Sequence, residues 1–178
     1  MQRISLLDRR PTPLTRRDTG RTFPAAANYP IVVRELPMPM VGEKAQRSLT
    51  LTEHHVRTFA ELTGDYNPLH FDADFASRTR FGGLVVQGGL TTGLLHALVA
   101  MDMPGPGSVF LSQQWKFTAP VYIDDTITAQ AEVVSVHETK PVTQLRIVVT
   151  RQTGETVLEG EAWCYTMKPV DTKTAAHS

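Results

Sequence analysis

The sequence predicts an α+β protein in which an antiparallel sheet wraps one long, buried helix. Three observations carry that expectation. Apolar residues recur at helical spacing up to about Asp102 and at a spacing of two beyond Gly107. The stretch from Leu90 to Val99 is apolar around most of its circumference, with small residues at Gly88, Gly89, Gly93 and Ala97. A helix of that kind is buried, with other backbone packed close against it. The strands follow one another through short turns instead of alternating with helices, which argues against a doubly wound parallel sheet.

The elements follow in order. Residues 1–30 hold six arginines, two aspartates and prolines at 11, 13, 24 and 30, so no regular helix or ladder is expected there. They read as a tail laid over the body or over a partner subunit. Their composition also resembles an Arg-rich organelle transit peptide, a reading that the aspartates and prolines weaken. One domain is expected over residues 31–168, with a short C-terminal tail at 169–178. A segment from Lys44 to Leu51 precedes Thr52, a good N-cap. Val56, Phe59 and Ala60 then mark one helical face, and Gly64 supplies the stop.

A short helix from Asp72 or Asp74 to about Thr79 is broken by Phe81-Gly82-Gly83, and the long helix runs from Gly88 or Gly89 to about Asp102. In the first strand Val109, Leu111 and Gln113 alternate with Ser108, Phe110 and Ser112. The second spans Thr126 to Val136, with a phase slip at Val133-Val134 that reads as a β-bulge. The third contains Leu145, Ile147 and Val149, and a turn at Thr153-Gly154 leads into a last strand from Thr156 to Met167. Such a sheet keeps unpaired edges, and pairing in a symmetric dimer is one way to protect them.

Composition narrows the function classes. Eighteen basic residues balance eighteen acidic ones among 178, so there is no large positive field for a nucleic-acid binder. No stretch approaches the roughly 20 apolar residues that cross a bilayer. Cys164 is the sole cysteine, which excludes an internal disulfide and a four-cysteine zinc site. It reads as a small core residue. A cytoplasmic location is expected.

Two stretches carry possible chemistry. Gly64-Asp65-Tyr66-Asn67-Pro68-Leu69-His70 packs a helix stop, a carboxylate, a turn-forming Asn-Pro and an imidazole into one short loop. A carboxylate and an imidazole held on one water form an acid–base pair. The same residues are also ordinary turn chemistry after a helix. Gln87-Gly88-Gly89 opens the long helix, where free backbone N–H groups and the helix dipole stabilise negative charge on a carbonyl oxygen. Those glycines equally serve tight helix–sheet packing. The six histidines show no metal-ligand spacing, and no Gly-x-Ser-x-Gly nucleophile elbow occurs.

Together, Phe59-Ala60-Glu61-Leu62-Thr63-Gly64-Asp65-Tyr66-Asn67-Pro68-Leu69-His70, Phe75-Ala76, Val85-Val86-Gln87-Gly88-Gly89-Leu90 and Phe117-Thr118-Ala119-Pro120-Val121 resemble the MaoC-like dehydratases. This is the family of (R)-specific enoyl-CoA hydratases with the hotdog fold, and the likeness spans about residues 44–167. It implies addition of water to a trans-2-enoyl thioester, reversible to dehydration of the (R)-3-hydroxyacyl thioester. Asp65 and His70 would hold the water, the Gly88 N–H would polarise the thioester carbonyl, and Asn67 would hold the loop in shape. Which of the acid–base pair moves the proton is not readable from sequence. The implied partners are a CoA or acyl-carrier-protein thioester and a second copy of the chain, as a homodimer or larger homo-oligomer, without cofactor or metal. Two alternatives share the scaffold, a hotdog thioesterase and a non-catalytic acyl-thioester binding subunit.

Two departures stand out. Gln87 replaces a histidine that many members carry, and His96 replaces a serine of some members; His96 is expected either to alter the support of Asp65 or, preferably, to sit in the core. Arg78 and Arg80 follow the loop and either meet the phosphates of coenzyme A or are merely solvated at a helix end.

Overall fold

The computed structural model describes residues 38–167. The expected tails at 1–30 and 169–178, and the transit-peptide reading, lie outside the described residues. In chain order the elements are strand β1 (Lys44–Thr50), helices α1 (Glu53–Thr63), α2 (Pro68–Phe71), α3 (Ala73–Ser77) and α4 (Gly88–Met101), and strands β2 (Ser108–Phe117), β3 (Thr126–Val136), β4 (Val142–Arg151) and β5 (Thr156–Thr166). The strands form one sheet in the order β1-β3-β4-β5-β2, every pair antiparallel.

Helix α4 lies on this sheet and contacts β1, β2 and β3. Its Leu94, Leu95, Leu98 and Val99 enter a core completed by Ile127, Ala129 and Ala131 of β3, Leu145, Ile147 and Val149 of β4, and Leu158 and Ala162 of β5. Each fully buried Leu or Ile side chain contributes roughly 1.5–3 kcal/mol of transfer free energy. Alanines at 129, 131 and 162 keep the strands low beneath the helix, so the sheet and α4 pack as the sequence predicts. The bulge falls where the phase slip puts it, with the register shifting between Val133 and Ser135.

Local rules account for the other boundaries. Thr52 caps α1, and its backbone N–H donates to Nδ1 of His55 at 3.0 Å. Gly64 ends α1 at φ 80°, a left-handed conformation that favours glycine. The hairpin between β4 and β5 closes through the Gly154 N–H on the Arg151 carbonyl at 2.9 Å.

Four features differ from the sequence expectation. The segment at Lys44–Thr50 is a fifth strand, paired to β3 in continuous register from Lys44↔Glu132 to Thr50↔Thr126. Its mostly polar face shows no apolar alternation; pairs such as Ser48 with Thr128, 2.8 Å between hydroxyls, hold it instead. Helix α2 starts at Pro68, where the missing N–H is harmless in a first turn. In β2 the register shifts between Phe110 and Ser112, so the simple alternation fails. Phe110 and Trp115 pack on the core, while Val109 and Leu111 are 42% and 57% exposed. His96 is exposed rather than in the core, with its ring edge-on to Phe110 at 5.0 Å between centroids.

Candidate active site

The loop after α1 is folded by its own short side chains. Past Gly64, the Asp65 N–H reaches the Thr63 hydroxyl at 3.3 Å, and Oδ1 of Asp65 accepts from the Asn67 N–H at 3.4 Å. Asn67 caps α2, its Oδ1 accepting from the Leu69 N–H at 3.0 Å. Asn67-Pro68 therefore turns the chain and starts a single helical turn that carries His70 back toward Asp65.

His70 is held from its other side. Its Nδ1 lies 2.7 Å from the Val85 carbonyl oxygen, and its side chain is only 10% exposed. A carbonyl only accepts, so Nδ1 carries the proton and donates. In the neutral ring Nε2 is then left as a lone pair, and it faces Oδ2 of Asp65 across 3.8 Å. That gap is too long for a hydrogen bond and admits a water within about 2.8 Å of both atoms. The Asp65 side chain is 42% exposed, so solvent reaches the pair.

The strand-like segment that holds His70 also leads into α4. Val85 forms an antiparallel bridge with Tyr122, and the Val86 N–H donates to the Val121 carbonyl at 2.9 Å. Gln87 then caps α4 as a nearly buried residue, 1% exposed, whose Nε2 donates to the Val56 carbonyl at 3.1 Å. The departure at Gln87 thus braces α4 against α1, while its Oε1 finds no partner among the described residues. Gly88 is the first residue of α4, where an N–H has no intrahelical acceptor. A side chain at Gly88 would sit 3.2 Å from the Phe117 ring, and one at Gly89 would overlap the ring of Phe59. Close approach is severe at Gly89, whereas at Gly88 the Phe117 ring would have to give by a few tenths of an ångström.

A cavity of about 500 Å³ opens at this helix start, with Arg80, Val85, Gly88, Thr91, Phe117 and Pro120 among its walls. Asp65 and His70 are not wall residues; His70 is joined to the cavity through the carbonyl of Val85. A wider depression of about 740 Å³ lies over β2 to β5 among Arg146, Glu159 and Glu161, and holds none of the residues singled out by sequence. Arg80 lines the first cavity and Arg78 does not. Among the described residues, no group of three or more His, Cys, Asp or Glu side chains is placed to hold a metal ion.

Beneath the segment lies a cluster that the sequence did not announce. Asp125, 8% exposed, accepts from the Tyr122 N–H at 2.8 Å, from Nε2 of Gln152 at 2.6 Å and from Arg151 at 3.2 Å. Burial pushes the Asp125 carboxyl up, but the Tyr122 N–H, the Gln152 amide and the Arg151 guanidinium together bring it below the usual carboxylate value. Arg151 in turn lies 5.4 Å from the Tyr122 ring centre, and the Tyr122 hydroxyl donates to the Phe81 carbonyl at 2.9 Å. The cluster fixes the chain segment that bridges Val85. Its partners come from a turn, a strand end and a loop up to 41 residues apart, so no local spacing reveals it. The Val85 carbonyl was equally invisible, since any residue supplies one. Cys164 is fully buried, and burial pushes its thiol up to about 12.

Residues 39–173 match the MaoC like domain. The chain is 38% identical over 122 residues to the (R)-specific enoyl-CoA hydratase of Aeromonas caviae, covering 68% of this chain and 91% of that protein. It is 36% identical over 121 residues to the (R)-specific enoyl-CoA hydratase of Rhodospirillum rubrum, covering 68% and 83%. The solved (R)-hydratase of A. caviae involved in PHA biosynthesis superposes with a TM-score of 0.69 at 36% identity, over 72% of this chain and 98% of that one. The sheet-and-helix architecture is that of the hotdog fold, and the chain belongs to the MaoC-like dehydratase family.

Proposed function

We propose that the protein is a hydro-lyase that adds water to a trans-2-enoyl thioester to give the (R)-3-hydroxyacyl thioester, and that catalyses the reverse dehydration. The observation that carries this reading is the open position between Oδ2 of Asp65 and Nε2 of His70, 3.8 Å apart. Both atoms are acceptors when His70 is neutral. A water that donates one hydrogen to each turns its lone pairs away from both, toward an incoming alkene. Its oxygen attacks the β-carbon, one member of the pair takes a proton, and that proton is delivered to the α-carbon to complete the addition. The Gly88 N–H stabilises the enolate oxygen that develops on the thioester carbonyl, an effect worth on the order of 3 kcal/mol per donor. Asn67 contributes by capping α2, which keeps His70 beside Asp65.

The active form is a homodimer in this reading, joined along β2. The two sheet edges differ in kind. Edge β1 is seven residues long and carries Lys44 and Arg47, both ion-paired, at 3.7 Å with Glu132 and at 2.7 Å with Asp102. Edge β2 is ten residues long and exposes Val109, Leu111 and Phe117 along an edge that pairs with no further strand among the described residues. An exposed apolar edge of that length is covered by pairing.

Crotonyl-CoA tests the reaction. Loss of the conjugated enoyl absorbance without release of free thiol is the expected result. Thiol release would identify a thioesterase instead, and silence across several acyl lengths would leave a binding subunit.

A further inference from the structure

We infer that Arg80 anchors the phosphate of the thioester's carrier arm at the mouth of the 500 Å³ cavity, an inference that rests on the thioester reading above. Six arginines fall within the described residues, and four are committed to carboxylates: Arg47 to Asp102, Arg57 to Glu53, Arg146 to Glu132, and Arg151 to Asp125 and Glu155. Arg78 and Arg80 are the two without an acidic partner among those residues. Only Arg80 of this pair lines the cavity, and among the described residues it is the sole charged one in a wall otherwise built from apolar side chains, glycine and threonine.

Arg80 is also aimed. Its guanidinium carbon lies 5.2 Å from the centre of the Phe81 ring, a cation–π contact, and its N–H groups find no hydrogen-bond partner among the described residues. The Phe81 backbone is held in turn by the Tyr122 hydroxyl at 2.9 Å. A cation beside an apolar cavity suits a ligand with an apolar reacting end and an anionic far end. Acyl thioesters of CoA and of acyl carrier protein share that layout, because both carry a phosphate ester on the pantetheine arm. Arginine takes phosphate oxygens through two parallel N–H bonds, a geometry that lysine does not reproduce.

The test compares three crotonyl thioesters on the full chain: that of CoA, that of 4′-phosphopantetheine and that of pantetheine, which has no phosphate. The wild-type KM should favour the phosphate-bearing thioesters, and Arg80→Gln should cut that preference by about tenfold, the scale of one charge-assisted pair. Arg80→Lys should restore part of it. Arg78→Gln, on a residue outside the cavity wall, should shift it by less than about twofold. Equal loss with both phosphate esters places the contact on the phosphate common to CoA and carrier protein; loss confined to the CoA ester places it on the nucleotide phosphates. Either supports the anchor. Equal KM changes for all three thioesters, or none, would overturn it. Calorimetric titration with CoA and with pantetheine gives the same comparison without turnover, so an inactive protein would fail the hydratase reading while still testing Arg80.

Discussion

Two carboxylates flank the Val85–Tyr122 bridge, and they are furnished in opposite ways. Asp125 is nearly buried, and its oxygens are filled by a backbone N–H, an amide and a guanidinium at 2.6 to 3.2 Å. Asp65 is 42% exposed, takes one long bond from Asn67, and faces an imidazole that it does not touch. A carboxylate held by three donors within the fold is committed to structure, because a substrate would have to displace bonds already made. A carboxylate opposite a lone pair, both within reach of one water placed beside them, has its capacity left for something that arrives. The closed cluster holds the segment whose carbonyl orients the imidazole of the open one, so the second depends on the first.

The contrast can be broken most sharply at the open pair. Asp65→Asn and His70→Ala should each lower turnover of crotonyl-CoA by about 10²-fold or more, as expected for lost acid–base catalysis. Asp65→Asn should leave the melting transition close to wild type, which calorimetry checks. The converse substitution, Asp125→Ala, should cost about 2 kcal/mol in denaturant unfolding, because it strips the acceptor from three donors, one of them charged. If Asp125→Ala proves harmless to stability, the distinction between the two carboxylates is lost.

Acid titration sharpens the comparison. The folded-state value of Asp125 lies below that of the unfolded chain. Its stabilisation is therefore present in full above about pH 4, the ordinary carboxylate value, and is lost as pH falls through the folded value. The stability gap between wild type and Asp125→Asn should shrink over that acid window. A gap that stays constant there would remove the charge from the account. The smallest effect is expected at Tyr122→Phe, which deletes only the hydroxyl bond to the Phe81 carbonyl. It should cost about 1 kcal/mol and, by loosening the chain at Phe81, weaken binding of phosphate-bearing thioesters less than Arg80→Gln does.

Much of the fold and half of the site were legible in the sequence. Local signals marked α1, from Thr52 to Gly64, and α4, from its glycines to Asp102, because caps and apolar periodicity act over a few residues. Asp65, Asn67 and His70 belong to one short loop, so their neighbourhood follows from the Asn-Pro turn. Strand β1 escaped because a polar edge strand is defined by its partner, and β2 lost its phase because a bulge inserts one residue into the count. His96 shows the same limit: an imidazole on a buried helix reads as core, yet that turn of α4 faces outward beside Phe110.

What the chain determined by itself is therefore the set of groups and the order in which they occur: a carboxylate and an imidazole in one turn, a glycine helix start, and an apolar helix followed by strands. Only the tertiary structure decided which imidazole nitrogen holds the proton, since that depends on a backbone carbonyl brought from 15 residues away. It likewise separated Arg80 from Arg78, and Asp125 from Asp65. Composition treats each pair alike; exposure, distance and the number of donors within reach do not, and those quantities arise from packing between elements remote in sequence.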